Sequence, residues 1–213
     1  MATSADGPGK RIGLPEPRQE GTVSVASAIA TRRSRRTFGD GRISLSEIGQ
    51  LLWAAQGVTD TESGFRAAPS AGATFPLEVY TVIGEEGCED LEAGVYRYHP
   101  GEHALERQVS GDVTAALREA ALDQAWIETA SATIVFAAVD ERTTGQYGQR
   151  GLERYVPMEA GHAGENLFLQ AEALGLGTVP VGAFDDGRVR EVLEIPAEER
   201  ILYLFPVGPK AEG

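Results

Sequence analysis

Apolar residues along the 213-residue chain follow two spacings, and the switches between them divide it into helices and strands. Val25, Ala28 and Ile29 are spaced for a short helix, with Ser24 placed to cap its start and Arg32 and Arg33 in its last turn. Ser44-Leu45-Ser46-Glu47 has the form of a capping box, and Ile48, Leu51, Leu52 and Ala55 keep helical spacing until Gly57 ends the run. Leu77, Val79, Thr81 and Ile83 begin a buried strand. Alternation over 94–98, a turn at His99, Pro100, Gly101 and Glu102, and alternation again over 104–109 predict a hairpin. Ser110 is in position to cap a helix through Leu122, and a second helical piece carries Trp126 and Ile127. Residues 133–139 form a continuous apolar strand. The longest helix is predicted over 158–174, with Ala163, Leu167, Ala171 and Leu174 on one face and Gly175 as its stop. Strands near 177–181 and 201–207 bracket a short helix holding Val189, Val192 and Leu193.

The first 21 residues carry Gly7, Pro8, Gly9, Gly13, Pro15 and Pro17 without an apolar cluster, so a loose arm is expected there. Residues 22–213 then form a single domain, large enough at 42% hydrophobic content to close one core. Cys88 is the only cysteine, which excludes an intrachain disulfide. No run has the length and apolarity of a signal peptide or membrane span, so a cytoplasmic location and no membrane contact are expected.

Charge changes the picture. With 32 acidic residues against 19 basic ones the formal net charge is −13, which repels nucleic acid. Yet Thr31-Arg32-Arg33-Ser34-Arg35-Arg36-Thr37-Phe38 packs four arginines between an apolar run and a glycine turn. Guanidinium groups keep their charge, and their planar forks match phosphate, so a cofactor phosphate is the working expectation. On the cluster alone, a solvated helix end favoured by the macrodipole and a nucleic-acid patch remain open.

Other reactive side chains point to structural roles. His162 has no second histidine or cysteine at ligand spacing, so no metal site is expected, and it reads as a core residue of the long helix, as do Glu159 and Asn166. Cys88 sits among Glu85, Glu86, Glu89 and Asp90, whose carboxylates oppose a thiolate. Tyr96, Tyr98 and His99 read as hairpin surface. The small residues Pro69, Ser70, Ala71 and Gly72 let a flat ligand or another backbone come close.

Three stretches occur in one order: the arginine cluster, the Pro69-Ser70-Ala71-Gly72 loop, and Gly175-Leu176-Gly177-Thr178-Val179-Pro180-Val181-Gly182-Ala183-Phe184. Together they resemble the flavin-dependent nitroreductase superfamily over residues 23–209. Met158-Glu159-Ala160-Gly161-His162 followed by Glu165-Asn166-Leu167 further resembles its SagB-type branch, which includes thiazole- and oxazole-forming dehydrogenases.

The resemblance implies an α+β fold, with a mixed, mainly antiparallel sheet surrounded by helices, and an intertwined homodimer. It implies that Arg32, Arg33, Ser34 and Arg36 hold the phosphate, ribityl chain and pyrimidine edge of FMN, while Arg35 turns to solvent or a carboxylate. The loop of Pro69, Ser70, Ala71 and Gly72 is expected to come from the partner and lie against the isoalloxazine. Pro180, Val181, Gly182 and Ala183 match the turn whose backbone approaches flavin N5, where a donor stabilises charge gained on reduction. Gln124 corresponds to a polar contact at the pyrimidine edge, and Lys210 is the remaining cation near a C-terminal tail that reaches the phosphate in many relatives.

No side-chain nucleophile is implied. In the azole-forming enzymes a Lys-Tyr pair supplies the base; here Gln146-Tyr147 stands in its place, and glutamine is no base, which leaves Tyr147 as a pocket donor. The expected activity is ping-pong transfer from NADH or NADPH through FMN to a small acceptor such as a nitroaromatic or quinone. The chain has no Gly-x-Gly-x-x-Gly fingerprint, in keeping with a nicotinamide that stacks on the flavin. The alternatives are a SagB-type dehydrogenase that oxidises a peptide-derived or small heterocyclic substrate with oxygen as acceptor, a flavin-binding module without turnover, and an anion- or nucleic-acid-binding domain.

Overall fold

The computed structural model describes Gly9 and residues 11–211. In chain order the elements are β1 (Arg11–Gly13), α1 (Val25–Thr31), α2 (Leu45–Gln56), β2 (Val58–Asp60), β3 (Phe65–Arg66), β4 (Leu77–Ile83), β5 (Gly94–His99), β6 (Ala104–Ser110), α3 (Thr114–Ala120), β7 (Ala132–Val139), α4 (Glu141–Tyr147), α5 (Val156–Ala173), β8 (Leu176–Thr178), α6 (Asp186–Leu193) and β9 (Glu199–Pro209). Seven strands form one sheet in the order β1-β6-β5-β4-β7-β9-β8, and every ladder in it is antiparallel. Among the described residues, parallel contacts occur only as isolated bridges, Ser34 with Thr178 and Ile43 with Cys88. Helices cover both faces of this antiparallel sheet.

The strand pattern explains the two cores. Along β4, Leu77, Val79 and Ile83 face a layer built from α2 and α5, while Tyr80 and Val82 face α3 and α6. β7, its neighbour, divides in the same way, with Ile134 and Phe136 on one side and Val135 and Ala137 on the other. Both faces are dry, hence the continuous apolar run. Phe136, Phe168 and Tyr203 surround Phe205 with ring centroids 5.0, 6.4 and 5.3 Å away.

The caps of α1 and α2 form as expected: Ser24 accepts from Ser27 N, and Ser44 and Glu47 complete a reciprocal capping box. Four expectations need correction. Ser110 ends β6 and caps nothing; α3 begins at Thr114, whose N–H donates to Asp112 Oδ1 at 2.8 Å, because the Asx geometry satisfies a helix start that the serine is too far away to reach. Tyr96 and Tyr98 are buried, not surface, since β5 lies inside the sheet and both hydroxyls find partners, Glu92 O at 2.7 Å and His103 Nδ1 at 2.9 Å. His162 is exposed on α5 rather than in the core, because it falls on the helix face opposite Ala163 and Leu167.

The fourth concerns the arm. Arg11–Gly13 is an edge strand on β6, Leu14 N donates to His103 O at 2.9 Å, and Arg18 exchanges two hydrogen bonds with the Gln50 side chain at 2.8 and 3.0 Å. Ile12 and Leu14 pack on the core from this segment. Backbone pairing and two apolar anchors replace the cluster that the stretch lacks. The remainder of the expected arm, residues 1–8 and 10, lies outside the described residues.

Candidate functional site

The arginine cluster leaves α1 at its C-terminus, and its four side chains go four ways. Arg32 lies over the Phe168 ring of α5, 4.8 Å from the centroid, with Glu165 at 3.9 Å. Arg33 folds back on the helix end and donates to Ala30 O and Arg32 O at 3.1 and 2.7 Å. Arg36 lies 5.6 Å from the centre of Trp126. Arg35 runs inward over Gly177, where an added Cβ would come within 2.9 Å of its Cδ, so only glycine admits this crossing. Its charge acts on Glu172, the carboxylate alternative of the expectation.

Glu172 also takes Lys210, whose Nζ is 2.8 Å from Oε1. Burial alone would raise the Glu172 carboxyl, but the hydrogen bonds from Lys210 and Thr31 outweigh it and hold it below the usual carboxylate range. Lys210 therefore sits in an ion pair behind the cluster.

A bridge from Ser34 to Thr178, with Arg35 N donating to Thr178 O at 3.0 Å, seats the cluster along the segment leading to Gly182. Val181 bridges Leu204 of β9, which fixes the turn, and Pro180, Gly182 and Ala183 are exposed beside it. Gln124 donates through Nε2 to Ala121 O and Ala183 O, both at 2.8 Å. Cluster, turn and Gln124 are thus one continuous surface, closed by Trp126. Among the described residues the N–H groups of Gly182 and Ala183 donate to no protein acceptor, and a Cβ at Gly182 would meet nothing nearer than Tyr203 at 3.7 Å. Arg35 Nε, Thr178 Oγ1 and Trp126 Nε1 are buried without partners. Cations at one end and free donors at the other suit a ligand that is anionic at one end and a planar acceptor at the other.

The loop of Pro69, Ser70, Ala71 and Gly72 stands apart from this surface. Gly72 has φ 61°, and a Cβ there would lie 2.5 Å from Tyr147 Oη and 2.7 Å from Gln146 Oε1. Ala73 and Phe75 also take positive φ, 53° and 43°. The tie of Thr74 Oγ1 to Thr143 Oγ1 at 2.8 Å and the bond from Arg142 to Phe75 O at 3.0 Å fasten the loop to α4. Asn166 ties α5 to α2 and to the loop's start through Ala54 O and Ala67 O, at 3.1 and 3.2 Å. A π-helical turn, Gly151–Tyr155, joins α4 to α5, and Tyr155 packs edge-on against Tyr147 at 5.0 Å.

Cys88 is buried, and burial pushes its thiol up against the backbone N–H groups of Asp90, Leu91 and Glu89, which favour the thiolate. Sequence reasoning missed the rings under the arginines, Phe168 and Trp126, and the Glu172 counter-charge. Phe168 and Glu172 share a helix face at i, i+4 spacing, which was readable; their meeting with the cluster was not, since it depends on how α1 crosses α5.

The antiparallel sheet wrapped by helices, with this cationic seam beside an open backbone turn, is the architecture of the nitroreductase fold. Residues 29–209 match the nitroreductase family, and the chain belongs to it as an oxidoreductase. It is 45% identical over 190 residues to MJ1384 of Methanocaldococcus jannaschii, a protein provisionally named a nitroreductase, covering 89% of this chain and 93% of that one. It is 30% identical over 176 residues to the trifolitoxin-processing protein TfxB of Rhizobium leguminosarum bv. trifolii, covering 78% of this chain and 47% of the relative. A solved structure provisionally titled a nitroreductase, from Ralstonia eutropha JMP134, superposes with a TM-score of 0.83 at 28% identity, covering all of this chain and 93% of that one.

Proposed function

We propose that the chain is an FMN-dependent oxidoreductase that passes electrons from NADH or NADPH to a small acceptor such as a nitroaromatic or quinone. The observation that carries this reading is the single surface joining Arg32 and Arg36 to the free N–H groups of Gly182 and Ala183 through Ser34, Thr178 and Gln124. FMN bound there would supply two-electron chemistry at its N5, accepting hydride from nicotinamide and returning electrons to the acceptor. The residues of the chain bind, orient and tune. Arg32 and Arg36 would take the phosphate, Ser34 the polar chain, and the Gly182 and Ala183 amides the edge where negative charge develops. Arg33 is committed to the end of α1 and is a weaker member than its neighbours. Lys210 acts through Glu172.

The protein is read as a cytoplasmic homodimer. Val25 and Ile29 of α1 are 69% and 58% exposed beside a groove of about 580 Å³ between α1, α2 and α5, an apolar face suited to a second copy. Ser70, on the loop, meets Glu159, whereas Arg32 sits over Phe168, about 14 Å further along α5 at 1.5 Å per residue. That separation supports a site completed by the loop of a partner. Among the described residues no helix is long and apolar enough to cross a membrane.

The likeness to a toxin-processing protein favours a second reading, oxidation of a peptide-derived or heterocyclic substrate with oxygen as acceptor. Gln146 at the expected base position weighs against it. Flavin absorbance bands in the purified protein, lost from an Arg32→Ala/Arg36→Ala variant that still folds, are the expected result; full retention of FMN by that variant would remove the phosphate assignment. Turnover with NADH or NADPH and a quinone separates the two readings, since the dehydrogenase of the second reading is reduced poorly by nicotinamide.

A further inference from the structure

Where β4 begins and β5 finishes, three arginines line a cavity of about 460 Å³ that the proposed flavin surface does not use. They converge on one short stretch of chain. Arg97 Nη2 of β5 lies 2.9 Å from Glu78 Oε2, and Arg142 Nη2 of α4 donates to Glu78 Oε1, so one carboxylate bridges two guanidinium groups. Arg66 of β3 reaches the neighbouring residue: its Nη1 donates to Gln56 Oε1 at 2.9 Å and, at the longer distance of 3.5 Å, to Leu77 O. Its fork lies 4.8 Å from the centre of the Phe75 ring, while Arg142 Nη1 donates to Phe75 O at 3.0 Å. Each side chain is thus held in place before any ligand arrives.

The charges here do not cancel. Arg97 has a second partner in the buried Glu199 at 3.0 Å, whereas Arg66 forms no ion pair among the described residues. Three arginines against Glu78 and Glu199 leave one positive charge over, in a chain whose net charge is −13. Burial pulls the Arg66 pKa down and the charge of Arg142 adds to the pull, against Glu78 and Glu159. Glu159 gives little relief, because burial raises its own carboxyl to about 7 and leaves it mostly neutral at pH 6.5. His99, at the rim, sheds its proton more readily than an ordinary imidazole, since burial and the Arg11 charge outweigh Glu106. Among the described residues, Arg66 Nη2 and Arg97 Nη1 meet no protein acceptor, and neither is buried. Both are open to the cavity, whose other walls include Phe75, Pro100 and Tyr98.

We propose that this cavity binds a small organic monocarboxylate, with its carboxylate on Arg66 and Arg97 and its apolar body against Phe75 and Pro100. One charge in excess matches one carboxylate rather than a phosphate dianion, and planar forks take carboxylate oxygens in pairs. The volume lies within the range of small-molecule sites. The site stands whether or not the protein binds a flavin.

Benzoate titrated into the ¹⁵N-labelled full-length protein at pH 6.5, followed by amide NMR shifts, tests this. Saturable shifts are expected at Thr74, Phe75 and His99. Arg66→Gln should weaken binding about tenfold, the loss of one charge-assisted bond. Arg142→Gln keeps Arg66 but frees one Glu78 oxygen to repel the ligand, so it should also weaken binding and serves where Arg66→Gln does not fold. Shifts that grow without saturating would overturn the proposal, as would shifts centred on residues 32–38 or benzoate affinity unchanged in the folded variants. Inorganic phosphate binding the same residues more tightly than benzoate would overturn the choice of a carboxylate.

Discussion

At the scale of single residues, identical side chains acquire different tasks from what lies beneath them. Arg32 and Arg36 rest on aromatic rings that hold their forks at the surface, Arg33 closes a helix end, and Arg35 is drawn over Gly177 toward Glu172. The excess of arginine in an acidic chain was legible as a binding signal; the division of labour was not, because it is set by tertiary neighbours. Glu159 gives a residue-scale prediction of opposite character. Its carboxyl, raised to about 7 in the fold from an ordinary 4.5, binds its proton more tightly in the native state than in the unfolded one. The stability it contributes is complete below pH 4.5 and lost as pH rises through 7, which at about 1.4 kcal/mol per unit comes to about 3 kcal/mol. Glutamine stays neutral throughout. The stability of Glu159→Gln relative to wild type, measured by urea denaturation, should therefore rise between pH 5 and pH 8, and an unchanged difference would show an ordinary carboxyl.

Elements were legible where local chemistry is self-contained. The capping box of α2 needs only Ser44 and Glu47, and removing it by Ser44→Ala should cost about 1 kcal/mol in chemical denaturation. The apolar run of β7 announces a strand dry on both sides. α4 was not legible, since Glu-Arg-Thr-Thr-Gly-Gln-Tyr has no apolar stripe and carries two β-branched residues and a glycine at its centre, and it is held by what it packs on. The strain of the loop was equally hidden, although Gly72 itself was marked as a place of close approach. Gly72→Ala combines an unfavourable φ with contact against Tyr147 and should lower stability by about 1–3 kcal/mol. Combining it with Tyr147→Ala relieves the contact with Tyr147 but neither the φ nor the contact with Gln146, so a double-mutant cycle should show coupling and only partial recovery.

For the whole molecule the question is whether one chain completes its site. The ordered motifs carried the fold, since each marks a fixed place on it, but they could not say whether the cluster and the loop of one chain serve the same site. Within one protomer the loop is fastened to α4 and lies near Glu159 at the start of α5, while Arg32 sits over Phe168 towards the other end of α5. A site shared between two chains makes a prediction that a self-contained site does not. Pair a chain carrying Arg32→Ala and Arg36→Ala with one carrying Ala71→Trp, each of which should bind little FMN as a homodimer. In the mixed dimer one site receives an intact cluster from one protomer and an intact loop from its partner, while the other receives both damaged parts. Flavin content of the purified heterodimer should recover to about half that of wild type, the share set by one working site in a twofold-symmetric pair. If cluster and loop of the same chain formed the site, neither protomer would have an intact one, and the heterodimer would stay colourless.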